Sequence, residues 1–131
     1  MTKEIVASGR TATESTAEEG TVNEDMPNQT VIGTFRVRAG DEAEFTELLG
    51  RHWPTLHELG LVTSEPSVIY RSGDGGVTYI EIFTWVEGGY EVAREHPAVL
   101  AIWGAMDAML EDRGGQPKWE FPHYQRVSLG T

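Results

Sequence analysis

The chain has 131 residues, with 10 Lys and Arg against 21 Asp and Glu, and no cysteine. That length leaves room for one domain. The missing cysteine excludes disulfides, thiolate metal sites and cysteine nucleophiles. A net charge of −11 argues against nucleic acid as a partner, because affinity for a phosphate backbone rests on clustered Lys and Arg.

No apolar run approaches the ~18 residues of a membrane span. Near the N-terminus the only apolar run is "IVA", too short for the core of a secretory signal. A cytoplasmic location, with no membrane partner, is the expectation.

Residues 1–29 are rich in Thr, Glu, Ser and Ala and contain no aromatic residue. Lys3 and Arg10 face Glu4, Glu14, Glu18, Glu19, Glu24 and Asp25. Such a segment cannot bury enough apolar surface to offset the entropy of ordering it. It is expected to be a disordered acidic tail, and Met26 is an alternative natural start. The folded domain is placed at 30–127, with 128–131 as a short C-terminal tail.

From Thr30 the pattern sharpens. "TVIGTFRVR" is β-branched and alternating, which predicts a strand. "AGDEAEF" predicts a helix start with Asp41 as N-cap and Glu44 three residues on. Phe45, Leu48, Leu49, His52, Leu56 and Leu59 then recur at helical spacing. Gly60 ends that helix, and Leu61 follows as the apolar residue expected after such a cap.

"PSVIYR" predicts a short strand, "SGDGG" a hairpin loop and "VTYIEIFTWV" the longest strand. "EGG" breaks it. A short helical turn is expected over Tyr90–Glu95, then a helix from Pro97 to about Leu110, with Val99, Ile102, Trp103, Met106 and Leu110 inward. "EDRGGQP" is a loop, and "KWEFPHYQRV" is expected to close the domain as a last strand.

The order β-α-β-β-α-β is the ferredoxin-like arrangement of an α+β domain, a four-stranded antiparallel sheet with both helices on one face. On the third strand Tyr79, Glu81, Phe83 and Trp85 point opposite to Ile80, Ile82 and Val86. Helices can cover only one of these apolar rows. Tyr79, Phe83 and Trp85 are expected on the uncovered face, packed against a second sheet from an identical subunit. Arg36, Arg71 and Glu81 are expected to form a polar cluster on that face, fixing a homodimer.

On "FRVRAGDEAEF", "YIEIFTWVE", "HPAVLAIWGAM" and "FPHYQRV", the stretch Thr30–Val127 resembles the dimeric α+β barrel superfamily. Within it, the chain is similar to the antibiotic-biosynthesis-monooxygenase-like (ABM) domains. The resemblance implies a homodimer whose sheets form a barrel, with a small-molecule pocket in each subunit between sheet and helices. Some members oxidise polycyclic aromatic substrates with oxygen and no cofactor, and others degrade haem. Haem-degrading relatives carry an asparagine on the first strand, where this chain has Gly33 or a neighbour. They also place a tryptophan before a histidine on the second helical segment. Here His96 precedes Trp103, which disfavours haem degradation.

Two histidines are the candidate catalytic residues. His52 stands in the apolar stripe of the long helix, where the pattern calls for another Leu. Pro54, two residues on, removes the amide that would bond the Gly50 carbonyl. His52 is either a pocket wall or a buried imidazole satisfied by a backbone carbonyl. His96 precedes Pro97, and proline favours an extended residue before it while fitting the first turn of a helix. His96 then lies either at a pocket mouth or, incidentally, at an exposed helix entrance. Either imidazole has an unperturbed pKa of about 6.5, suited to a base at neutral pH.

Trp53, Tyr70 and Trp103 are the candidate substrate-binding residues, although aromatics at such spacing also serve as core. His123 and Tyr124 point to opposite faces of the last strand, so only one of them can line a given pocket.

Other schemes fail on chemistry. His52 and His57 are five apart, about 140° around a helix, and do not converge on a metal. There is no HExxH. "GDGG" joins two strands and opens no helix, so it is no phosphate cradle. Ser64, Ser67 and Ser72 lie in no nucleophile elbow. Glu111 and Asp112 read as a solvated helix end.

The reading that follows is a cofactor-independent, monooxygenase-like enzyme for a small aromatic or apolar molecule, without metal. A non-catalytic small-molecule-binding or stress-related dimeric module is one alternative. A lyase or isomerase using the same pocket is another. A cavity of roughly 300 Å³ or more lined by both histidines would favour ligand chemistry over a filled interior.

Overall fold

A computed structural model describes residues 28–130. The acidic tail expected over 1–29 and the alternative start at Met26 therefore fall almost wholly outside the described residues. The element order is β1 (Thr30–Val37), α1 (Glu42–Glu58), β2 (Val68–Ser72), β3 (Val77–Thr84), α2 (Gly89–Ala93), α3 (Pro97–Asp107), β4 (Trp119–Glu120) and β5 (His123–Tyr124).

The sheet is antiparallel, in the order β2-β3-β1-β4, and β5 also pairs with β1. This is the expected ferredoxin-like α+β architecture. Its last strand differs from expectation, because it is broken in two. Pro122 has no N–H to give to a ladder. Its carbonyl instead accepts from Ile32 N at 3.2 Å, and that of Lys118 accepts from Arg36 N at 2.9 Å. Both fragments thus stay on the free edge of β1.

Helix α1 ends as its sequence dictates. Gly60 takes φ 77°, its N–H reaches the His57 carbonyl at 2.9 Å, and the Leu61 N–H reaches that of Leu56 at 3.0 Å. This is a Schellman cap, with Leu56 and Leu61 packed in one core cluster. At the other end Asp41 occupies the N-cap position without a side-chain cap bond, and its carboxylate takes Arg38 Nε at 3.3 Å instead. Helix α3 stops at Asp107, three residues short of Leu110, which bridges Val37 on β1 instead.

The register fixes which sheet face is covered. Val31 faces Phe83, Gly33 faces Glu81 and Phe35 faces Tyr79. Phe45 of α1 meets both Phe35 and Tyr79, at centroid distances of 5.4 and 5.6 Å. The row Tyr79, Glu81, Phe83 and Trp85 is therefore buried under the helices, which corrects the expectation that it lies open. Both rows of β3 are apolar, so alternation alone could not choose between them.

The open row holds half-buried Ile32, Ile80 and Ile82, beside exposed Val68 and Tyr70 on β2. The expected Arg36–Arg71–Glu81 cluster does not form. Arg36 pairs with Glu120 at 2.8 Å, Arg71 with Glu42 at 2.6 Å, and Glu81 turns into the core.

Candidate functional site

Three side chains from three elements meet inside the domain. His52, in the middle of α1, places Nδ1 2.8 Å from Oε1 of Glu81 on β3. Trp103, on α3, donates its indole N–H to His52 Nε2, also at 2.8 Å. His52 is 1% exposed and Glu81 is fully buried.

Chemistry orders the protons along this chain. An indole nitrogen can only donate, so His52 Nε2 must accept and the imidazole proton sits on Nδ1. That proton is given to Glu81 Oε1. The arrangement fixes the imidazole in one tautomer. Oε2 of Glu81 is buried and has no hydrogen-bond partner among the described residues.

Packing explains why a carboxyl group fits at this point. Gly33 lies opposite Glu81 on β1, and a Cβ there would come within 3.2 Å of the Phe121 and Phe35 rings. The missing side chain lets Phe121 lie over the strand. Phe83 meets His52 edge-on at 5.6 Å.

Towards solvent the buried chain ends on a half-buried aromatic floor. Trp103 is surrounded by Phe121, Trp119 and Tyr90 at 5.9, 6.5 and 6.5 Å. Tyr90 packs on His123 at 4.5 Å. His123 Nε2 accepts the Trp85 indole N–H at 2.9 Å. Burial pushes the His123 pKa down, opposed by the charge of Glu91.

Of the five residues expected from sequence, the structure brings His52 and Trp103 together. Trp53 packs against the core cluster and stacks on His57 at 4.7 Å, with its indole nitrogen buried and without a partner among the described residues. Tyr70 lies on the open face of the sheet, 59% exposed. His96 is the N-cap of α3, with extended backbone (φ −91°, ψ 124°), and its Nδ1 accepts from Ala98 N at 3.1 Å. In neutral form its Nε2 therefore carries the proton.

Glu81 was missed as a partner of His52. Its signal was an acid inside an aromatic row, legible only once that row is placed under the helices.

A separate cleft of about 340 Å³ is lined by Thr30, Thr63, Thr84, Glu65 and Arg126 among others, and by none of the four histidines. Among the described residues no group of three or more His, Asp or Glu side chains is placed to hold a metal ion. No helix among them is long and apolar enough to cross a membrane.

Fold and interior together define an α+β sheet-and-helix domain with a carboxyl–imidazole–indole chain at its centre. No protein-family model matches the chain, and no curated protein matches it in sequence. Solved structures do match in fold. SnoaB, a cofactor-independent oxygenase from Streptomyces nogalater, superposes with a TM-score of 0.58 at 19% identity, over 80% of this chain and 96% of its own.

A candidate antibiotic biosynthesis monooxygenase from Bordetella bronchiseptica gives 0.61 at 15% identity, over 78% and 99%. A second such candidate, from Nitrosomonas europaea, gives 0.62 at 9% identity, over 80% and 95%. The fold is that of the ABM-like domains.

Proposed function

We propose that the chain is a cofactor-independent, monooxygenase-like enzyme acting on a small aromatic or apolar molecule, and that it works as a homodimer. The observation that carries this reading is the buried Glu81–His52–Trp103 chain, which ends on a half-buried aromatic floor. Flat apolar rings stack on such a floor, and a few convergent polar groups fix their orientation. The oxygenase named among the fold neighbours, SnoaB, supports the reaction class.

In this reading a phenolic substrate loses a proton to a base. The resulting anion gives one electron to oxygen, and the two radicals combine to a peroxide. After protonation the peroxide sheds water to leave a new carbonyl, so one oxygen atom enters product and the other leaves as water. The buried Glu81–His52 pair is assigned as the proton acceptor, reached from the floor at the Trp103 end. His52 orients Glu81 through its Nδ1–H. His96 is assigned the lesser role of a donor at the entrance of α3, and Trp103 and Trp53 that of apolar walls. Tyr70, on the open face, is assigned to the subunit contact.

Oxygen uptake with hydroxylated naphthalenes and anthracenes tests this. Wild type should consume oxygen, and Glu81→Gln and His52→Ala should each slow it by roughly 10²-fold, the scale of a lost acid–base group. His96→Ala should slow it less. Equal rates in Glu81→Gln and wild type would remove the base, and no uptake by wild type would remove the enzyme.

One observation favours a second reading, a non-catalytic binding module. The cleft of about 340 Å³ carries none of the histidines. Tryptophan fluorescence quenched by the same aromatic compounds, without oxygen uptake, would decide for it.

A further inference from the structure

Two tryptophans of this chain give their indole N–H to an imidazole nitrogen. Trp103 gives to His52 at 2.8 Å and Trp85 to His123 at 2.9 Å. Among the described residues the first imidazole is hydrogen-bonded to a carboxyl on its other nitrogen, and the second is not. That difference matters for electron transfer. Losing one electron from the indole ring makes its N–H strongly acidic, so oxidation is easiest where a base already accepts that hydrogen.

We propose that Trp103 is a proton-coupled electron donor, giving one electron to an oxygen-centred radical while its Nε1 proton passes to His52 Nε2. The oxidant is reduced by one electron. The indole N–H bond breaks and a neutral tryptophanyl radical remains. His52 gains the proton and becomes an imidazolium, whose Nδ1–H already faces the Glu81 carboxylate. Charge is conserved, and the new positive charge appears beside its counter-charge in a site where both partners are almost wholly excluded from water.

The surroundings suit this role. Trp103 is half-buried, so an oxidant can reach it from solvent while the proton moves inward. Tyr90 lies 6.5 Å from Trp103 and 5.6 Å from Trp85, which links the two indole–imidazole pairs through one ring. The electron hole comes to rest at Trp103, because there a carboxyl is hydrogen-bonded to the imidazole that takes the proton. The Glu91 charge acts on His123 with no such bond among the described residues. The consequence is protection of the interior from oxygen-centred radicals, and it holds whether or not the oxygenase reading does.

The test needs no substrate. The full chain is oxidised with photoexcited ruthenium tris(bipyridine) and persulfate, and followed by transient absorption and electron paramagnetic resonance. Wild type should give a deprotonated, neutral tryptophanyl radical, formed more slowly in D2O. Trp103→Phe should abolish it and Trp85→Phe should leave it. His52→Gln keeps an acceptor that cannot take the proton, and should leave the protonated radical cation.

Glu81→Gln should shorten the radical's lifetime about tenfold, the scale of one charge-assisted hydrogen bond. A radical cation in wild type, or a neutral radical that survives Trp103→Phe, would overturn the proposal. The first of these is read on wild type alone, so it decides even where a variant fails to fold.

Discussion

His52 and Glu81 stand 29 positions apart in the chain and meet at 2.8 Å in its interior, almost wholly shielded from solvent. The contact ties the middle of α1 to the middle of β3, and Trp103 extends it to α3. Three elements distant in sequence therefore share one polar junction inside a largely apolar core.

Such a junction is strongly coupled. Removing one partner of a buried pair leaves the other desolvated and unpaired, which costs about 3 kcal/mol or more. Glu81→Ala and His52→Ala should each destabilise by that amount in urea unfolding. The double variant Glu81→Met, His52→Leu should cost less than the sum of Glu81→Met and His52→Leu, because neither member of the pair is left facing an empty partner. The Trp103 N–H loses its acceptor once in either case. Additive costs would show that the two side chains do not stabilise each other.

Acid should act through a different pair of residues. Burial lowers the folded-state pKa of His123 below its usual 6.5, and the Trp85 indole needs its Nε2 unprotonated. The unfolded chain binds that proton first as pH falls. The stabilisation is thus complete above about pH 6.5 and is lost as pH drops through the lower folded value.

Glu42 behaves likewise further down. Hydrogen bonds from Arg71 and Tyr79 hold its pKa down to about 2 against an ordinary 4.5, so its contribution disappears between those values. Unfolding measured from pH 8 to pH 5 should show a loss that His123→Phe removes and Glu42→Gln does not. A slope unchanged in His123→Phe would exclude His123 as its source.

Much of this architecture could be read directly from sequence, for identifiable reasons. The end of α1 was legible because Gly60 and Leu61 carry a local motif that needs no tertiary partner. Trp103 was legible as an inward residue because helical spacing places it with Val99 and Met106. The face of β3 was not, since Tyr79, Phe83 and Trp85 compete with Ile80 and Ile82, and a period of two cannot say which row meets α1. Glu81 was lost with that choice. A lone acid in a strand is usually read as solvent-facing, and its partner lies on another element. His96 was placed correctly in the backbone, because the residue before proline is extended whatever surrounds it.

Glycine substitutions separate space from propensity. A Cβ at Gly89 would collide with the Leu61 carbonyl and approach the Trp85 ring, in the segment that carries Tyr90. Gly50, in the exposed run of α1, has nothing within 4 Å. Gly89→Ala should destabilise by roughly 1–3 kcal/mol, and Gly50→Ala should stabilise by about 0.4–1 kcal/mol. Thermal unfolding of both variants checks the pair. Equal effects would mean that local crowding at Leu61 is relieved at no cost.

The open face of the sheet sets the last expectation. Ile32, Ile80 and Ile82 stand in one half-buried patch, with Val68 and Tyr70 beside them 46% and 59% exposed. An apolar sheet face left to water is covered most simply by its own copy, since a two-fold contact uses the same surface twice. Native mass spectrometry should therefore show a dimer. Charges placed within that contact would have no partner once desolvated. Val68→Glu with Tyr70→Glu should weaken association at least tenfold, while leaving the interior around His52 intact. A monomeric wild type at micromolar concentration would show that this face is stable in water, and the homodimer would have to be given up.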